Sequence, residues 1–161
     1  HDRRFTPEGA GRPEFVLNQT PYRDARILVA GVNFACGSSR ETAVYALADY
    51  GFRAVIAPSF ADIFAANCIR NGLLPIRLAE AETEEILAGL ARSPGAKLTI
   101  DLTAQVVIDE RGRSYGFEID AADKECLVGG LDEVDVTLKL APEIEAFERS
   151  YRDRYGWMVP Q

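Results

Sequence analysis

The residues best suited to chemistry lie in one short run, Gly31-Val32-Asn33-Phe34-Ala35-Cys36-Gly37-Ser38-Ser39-Arg40, where a thiol, two hydroxyls and a guanidinium come together. Ser38 with Glu41 three residues later has the form of a capping box, so a helix is expected to start at the serines. A helix start offers unpaired amides and the positive end of a dipole, and Arg40 adds a planar fork that suits a carboxylate. A cation there opposes the dipole, which points to an anion supplied from outside, a carboxylate or a phosphate. The same residues also suit an ordinary helix cap carrying a solvated arginine. The only histidine is His1, so the usual neutral-pH base is missing from the interior and any proton chemistry needs another acceptor.

The elements that must position this run follow from apolar periodicity. Ile27 to Val32 reads as a short buried strand. Ala43, Val44, Leu47 and Tyr50 continue as a helix stopped at Gly51, and Arg53 to Ala57 gives a second buried strand, which makes a βαβ unit with parallel strands. A second helix is expected to bury Phe60, Ile63, Phe64 and Cys68 and to end at Asn71-Gly72. Leu73, Leu74 and Ile76 return as an edge strand marked by Pro75. Glu80 to Ala91 reads as a surface helix with a stripe of Ala81, Ile86, Leu87 and Leu90.

After Ser93-Pro94-Gly95 the pattern shortens. Lys97 to Leu102, Gln105 to Ile108 and Tyr115 to Ile119 suggest an antiparallel meander, Ala121 to Leu127 a helix, and the alternating Val134, Val136 and Leu138 a last strand. Pro142 opens a final helix with Ile144, Phe147, Tyr151 and Tyr155 on one face, followed by an apolar tail at Trp157 to Pro160 that is expected to fold back or meet a partner. Residues 1 to 14 read as a loop, and Phe15 to Leu17 as a short strand or extended piece.

A chain of 161 residues suits one domain, and its net charge of -7 argues against nucleic acid. No apolar run is long enough to span a membrane. Cys36, Cys68 and Cys126 are odd in number and far apart, with no C-x-x-C pair, which suits a reducing cytoplasm and disfavours a metal or cluster held wholly by this chain. Arg149, Arg152 and Arg154 read as a solvated helix face, Cys68 as a core residue and Cys36 as packing rather than a reactive thiol.

Asn33-Phe34-Ala35-Cys36-Gly37-Ser38-Ser39-Arg40-Glu41 resembles the signature loop of the aconitase superfamily's swivelling domain. Arg12 to Asn18, Asp49 to Arg53, Ala57 to Phe64, Asn67-Cys68, Asn71 to Ile76, and Gly130 to Val134 with Thr137-Leu138 are similar, in order, to the small-subunit family of 3-isopropylmalate dehydratase. The resemblance implies an α/β fold, a three-layer β/β/α swivelling domain over residues 1–161 whose mixed sheet has a βαβ unit and a later antiparallel part. It further implies a dehydration and rehydration that moves a hydroxyl between adjacent carbons of a small branched dicarboxylate. A large subunit would carry a four-iron four-sulfur cluster that polarises the departing hydroxyl. On this resemblance Ser38 is the alkoxide base, while Ser39 and Arg40, with Gly37, hold substrate carboxylate. The chain alone would be inactive.

Ala35 stands where that family usually has Gly, Thr42 where a His is common, and Asp135 where a late Gly is customary. The family's Thr-Asp-x-Ile-Ile-Pro segment has no counterpart, so the expected single domain lacks it. That leaves citramalate-, homoaconitate- and dimethylmalate-type substrates open beside isopropylmalate. A non-catalytic anion- or phosphate-binding module is the competing reading, although the loop has neither a Walker lysine pattern nor a dinucleotide glycine triplet. A degenerate subunit that only assembles with its partner is a third.

Overall fold

The computed structural model describes residues 4–158 apart from Ser38. After a 3-10 turn at Val16–Asn18 come β1 (Ile27–Val29), α1 (Thr42–Tyr50), β2 (Ala54–Ala57), α2 (Asp62–Arg70), β3 (Leu74–Arg77) and α3 (Glu80–Arg92). Then follow β4 (Thr99–Asp101), β5 (Val106–Ile108), β6 (Ser114–Gly116), α4 (Ala121–Gly129), α5 (Glu133–Leu138) and α6 (Ala141–Tyr155).

The strands segregate into two sheets. β1, β2 and β3 lie in that order and run parallel, with Leu28 opposite Val55 and Ile56 opposite Ile76. β4, β5 and β6 form a separate antiparallel meander with Ile100 opposite Val107 and Val107 opposite Tyr115. The parallel and antiparallel parts anticipated from sequence are therefore both present, as two sheets. Pro75 sits on the edge strand β3, where its missing N–H faces away from any ladder.

β2 is buried throughout, and its alternation divides the core. Ala54 and Ile56 face a cluster with Leu74, Ile76, Ile86, Val107, Tyr115 and Phe117, which joins the parallel sheet to the meander and α3. Val55 and Ala57 face Val44, Phe60, Phe64 and Cys68, which seat α1 and α2 on the opposite side. The result is three layers: helices, parallel sheet, antiparallel sheet. α1 stops where Gly51 takes φ 117°, its amide closing on Leu47 and Ala48.

Several expectations are corrected. Phe15 to Leu17 is not a strand, because Val16–Asn18 closes as a 3-10 turn. Ile63 is 53% exposed and Ala81 is exposed, so the buried faces of α2 and α3 are narrower than their apolar spacing suggests. Thr83 takes the inner place on α3, where its hydroxyl donates to the Ala79 carbonyl at 3.1 Å. Residues 133–138 form α5 rather than a strand. The Asp132 carboxylate accepts from the Asp135 amide at 2.8 Å and that of Asp135 accepts from the Asp132 amide at 3.1 Å, a reciprocal cap that outweighs the alternation of valines. α6 carries the expected face, with Phe147, Tyr151 and Tyr155 in ring contact, yet it buries no residue. Of the apolar tail expected to fold back or meet a partner, Trp157 is 81% exposed, Met158 Sδ accepts from the Tyr151 hydroxyl at 3.8 Å, and residues 159 and 160 lie outside the described residues. Arg149 and Arg152 pair with Glu145 and Glu148 one turn earlier, as a solvated face should.

Candidate active site at the end of the parallel sheet

The chain leaves β1 with the Ala30 amide still bonded to the Ile56 carbonyl at 2.8 Å, then turns at Asn33 and Ala35. Both residues take left-handed backbone, φ 58° and 63°. For Asn33 that conformation is common; for Ala35 it is strained, in keeping with the glycine usual at this place in the family. Between them the Phe34 ring packs edge-on against Phe60 at 5.6 to 6.3 Å from the Phe64 and Phe60 centroids and anchors the loop to the helical side of the core.

The loop is also stitched to the β2–α2 connection. The Asn33 amide donates to Ser59 Oγ at 2.7 Å, and the Ser59 hydroxyl returns to Asn33 Oδ1 at 3.4 Å. The Phe34 amide donates to the Ser59 carbonyl at 3.0 Å, and the Ala61 amide to the Phe34 carbonyl at 3.2 Å. Beyond this anchor Cys36, Gly37, Ser39 and Arg40 are all exposed. They stand outside the carboxyl ends of parallel strands, where open α/β sheets place their ligands. Ser38, the residue expected to act as base, lies outside the described residues.

The helix does not start at the serines. α1 begins at Thr42, and the Glu41 side chain makes no cap bond. Instead Glu41 Oε1 accepts from Asn71 Nδ2 at 2.8 Å. The Ala43, Val44 and Tyr45 amides already donate to the Arg40 and Glu41 carbonyls, so these amides are not turned towards an incoming anion. The side chains of Ser39 and Arg40, by contrast, stand on the exposed part of the loop. The negative charge of Glu41, with partial desolvation and a hydrogen bond to the same carboxylate, holds the Tyr45 phenol above its ordinary pKa.

A cleft of about 690 Å³ is lined by Arg70, Arg77, Asp120, Asp123, Cys126 and Val134 among others, and by none of the described residues of 31–41. Its lining carries both signs of charge.

Residues 4–81 match the family described as the Aconitase C-terminal domain, and residues 84–121 match LeuD_N. The chain is 48% identical over 155 residues to the 3-isopropylmalate dehydratase small subunit of Paramagnetospirillum magneticum, covering 96% of this chain and 77% of that one. It is 49% identical to the one from Rhodospirillum centenum, over 97% and 77% of the two chains. The chain belongs to the 3-isopropylmalate dehydratase small-subunit family. A crystal structure of 3-isopropylmalate dehydratase from Methanocaldococcus jannaschii shares the fold, with a TM-score of 0.57 at 36% identity, covering 76% of this chain and 68% of that one.

The resemblance to this family implies an iron-sulfur cluster, and the cysteines present can be tested as its ligands. Cys36 is exposed, Cys68 buried and Cys126 intermediate, and no group of three potential ligands comes together among the described residues. Burial pushes the Cys68 thiol up to about 12, which holds it protonated and makes it a poor ligand. The described residues do not fit a cluster. Of the predicted site residues, Gly37, Ser39 and Arg40 share the exposed end of one loop. Sequence reasoning gave Ser59 and Asn71, which hold that loop, no role at the site. Their places in motifs shared with the family were the only signal.

Proposed function

We propose that this chain is the small subunit of a hydro-lyase that interconverts 2-isopropylmalate and 3-isopropylmalate by dehydration and rehydration, working with a large subunit that carries a four-iron four-sulfur cluster. The observation that carries the reading is the exposed Gly37-Ser39-Arg40 loop end, fastened to the parallel sheet in a chain about half identical to small subunits of that name.

In this reading Ser38 accepts the proton from the carbon next to a carboxylate. The electron pair of that C–H bond becomes the double bond as the hydroxyl leaves the adjacent carbon, and water returns with the two positions exchanged. Arg40 receives a substrate carboxylate through parallel N–H donors, and Ser39 with the backbone at Gly37 fixes its orientation. A serine hydroxyl is a base only where its alkoxide costs less than in water. The loop residues around it are open to solvent, so this chain alone leaves the base in the wrong medium. Seating a partner on that face expels the water and sharpens the field of Arg40. Three unpaired cysteines support a reducing, cytoplasmic setting.

The test is turnover of 3-isopropylmalate by the chain alone, by the large subunit alone and by the two together, with citramalate and homoaconitate as rival substrates. Turnover only by the pair, with isopropylmalate preferred, supports the reading. Turnover by the isolated chain, or none by the pair with any of these diacids, overturns it.

A further inference from the structure

The serine loop is held at both ends by one element. Its entry, Asn33 and Phe34, is bonded to Ser59 and Ala61 at the N-terminal flank of α2, and its exit, Glu41, is bonded to Asn71 at the C-terminal flank of the same helix. From Ala61 to Asn71 the helix advances about 15 Å at 1.5 Å per residue, so a rod of fixed length sets the separation of the two fastenings. The rod itself is immobilised, since Phe64 and Cys68 are buried in the helical layer and Asn67 is buried with them.

We infer that α2 is the jig for the reacting loop, with Ser59 and Asn71 as positioning residues that act through Asn33 and Glu41 and never touch substrate. The inference rests on the proposed role of the loop. Asn71 is well placed for the task. Its amide group also donates to the Asn67 carbonyl at 2.8 Å, so one Nδ2 ties the last turn of α2 to the carboxylate that precedes α1. Its backbone φ of -103° is open to any residue, so the side chain rather than the turn is what this position supplies. The carboxylate of Glu41 has a matching reason to be there: it is diverted from capping its own helix. Because an error of about 1 Å in a reacting group can cost about a hundredfold in rate, a restraint at each end of the loop that carries the exposed Cys36, Gly37, Ser39 and Arg40 is a catalytic matter and not only a structural one.

The experiment uses the reconstituted two-subunit enzyme and a polarity swap at the exit bond. Asn71→Asp sets two carboxylates against each other and should lower kcat at least about twentyfold with KM changed less than about twofold. Glu41→Gln should cost less than about threefold, because its amide oxygen still accepts from Asn71. The double variant Glu41→Gln/Asn71→Asp restores a donor–acceptor pair with its direction reversed and should return kcat to within about threefold of the parent. The unfavourable anion at the C-terminus of α2 and the lost bond to the Asn67 carbonyl both persist in the double variant, so recovery isolates the bond to residue 41. At the entry, Ser59→Ala should lower kcat about five- to tenfold and Ser59→Thr should keep it.

Hydrogen exchange of peptides spanning residues 31–46 in the isolated chain gives a reading independent of activity. Exchange should quicken in Asn71→Asp and Ser59→Ala and return to the parent rate in the double variant. The inference is overturned if Asn71→Asp keeps its kcat, if the double variant is no faster than Asn71→Asp, or if exchange in residues 31–46 is unchanged. An unmodified complex without turnover would refute the functional reading, while the exchange measurement would still decide whether α2 restrains the loop.

Discussion

The β1-to-β3 unit and the α5–α6 segment present similar apolar spacing and meet opposite fates. In the first, all four residues of β2 are buried, and the helices on one side and the meander on the other give each face of the strand a surface to meet. In the second, Val134, Leu138, Phe147 and Trp157 are each more than 60% exposed, and α6 buries nothing. Periodicity states which side of an element is apolar. It buries that side only where the chain brings a second surface to it. The contrast also bears on function, since the loop proposed to act is carried by the rigid unit and not by the exposed segment.

The sharpest way to break the contrast is to truncate one large side chain in each region. Ile56 is wholly buried between the sheets, so Ile56→Ala should destabilise the isolated chain by about 3–4 kcal/mol, a fall of roughly 10 °C in melting temperature by calorimetry. A loss under about 1 kcal/mol would mean that the core is not closed around β2.

The buried thiol gives a second, pH-dependent reading. With Cys68 pushed up to about 12 in the fold and near 9.0 when exposed, the unfolded chain gives up the proton first as pH rises. Its contribution is therefore full below about pH 9 and is lost progressively between there and pH 12. Cys68→Ala should flatten that alkaline decline in urea titrations, whereas Cys36→Ala should leave it in place. In thiol labelling at neutral pH, exposed Cys36 should react within the native state and Cys68 only upon unfolding.

A smaller effect is expected inside the loop. Ala35 holds φ 63°, and Ala35→Gly removes that strain at some cost in chain entropy, for a net gain of about 0.5–1 kcal/mol in denaturant midpoints. Destabilisation would show that the methyl group packs more than the turn strains. Smallest of all, Phe147→Ala on the exposed face of α6 should change the stability of the isolated chain by no more than about 0.5 kcal/mol.

Much of this architecture was legible in the sequence. The parallel unit was readable because Ala54 to Ala57 and Leu74 to Ile76 are short apolar runs closed by Pro58, Gly72 and Pro75, each with a definite backbone consequence. The meander was readable from its turns. What was misread turns on two carboxylates competing for amides. At Ser38-x-x-Glu41 the pattern of a reciprocal cap is present, but Asn71, thirty residues away, takes the Glu41 side chain and the helix starts later. At Asp132-x-x-Asp135 the cap forms and turns an apparent strand into α5. Local sequence lists the donors and acceptors, and only the tertiary arrangement decides which of them meet. The candidate loop was legible from its residue types, and the structure shows its Gly37, Ser39 and Arg40 exposed, with Ser38 outside the described residues. The loop's fastening through Ser59 and Asn71 was not legible, because those bonds join residues 26 to 30 positions apart.

The central claim is that this chain lends a hydroxyl base to chemistry completed by another subunit, and replacing that hydroxyl tests it most directly. Ser38→Ala, assembled with the large subunit, should bind it with unchanged affinity and lose about 10²–10⁴ in kcat on 3-isopropylmalate, the range over which a positioned proton acceptor contributes. A complex that assembles normally and retains the parent rate would contradict the account.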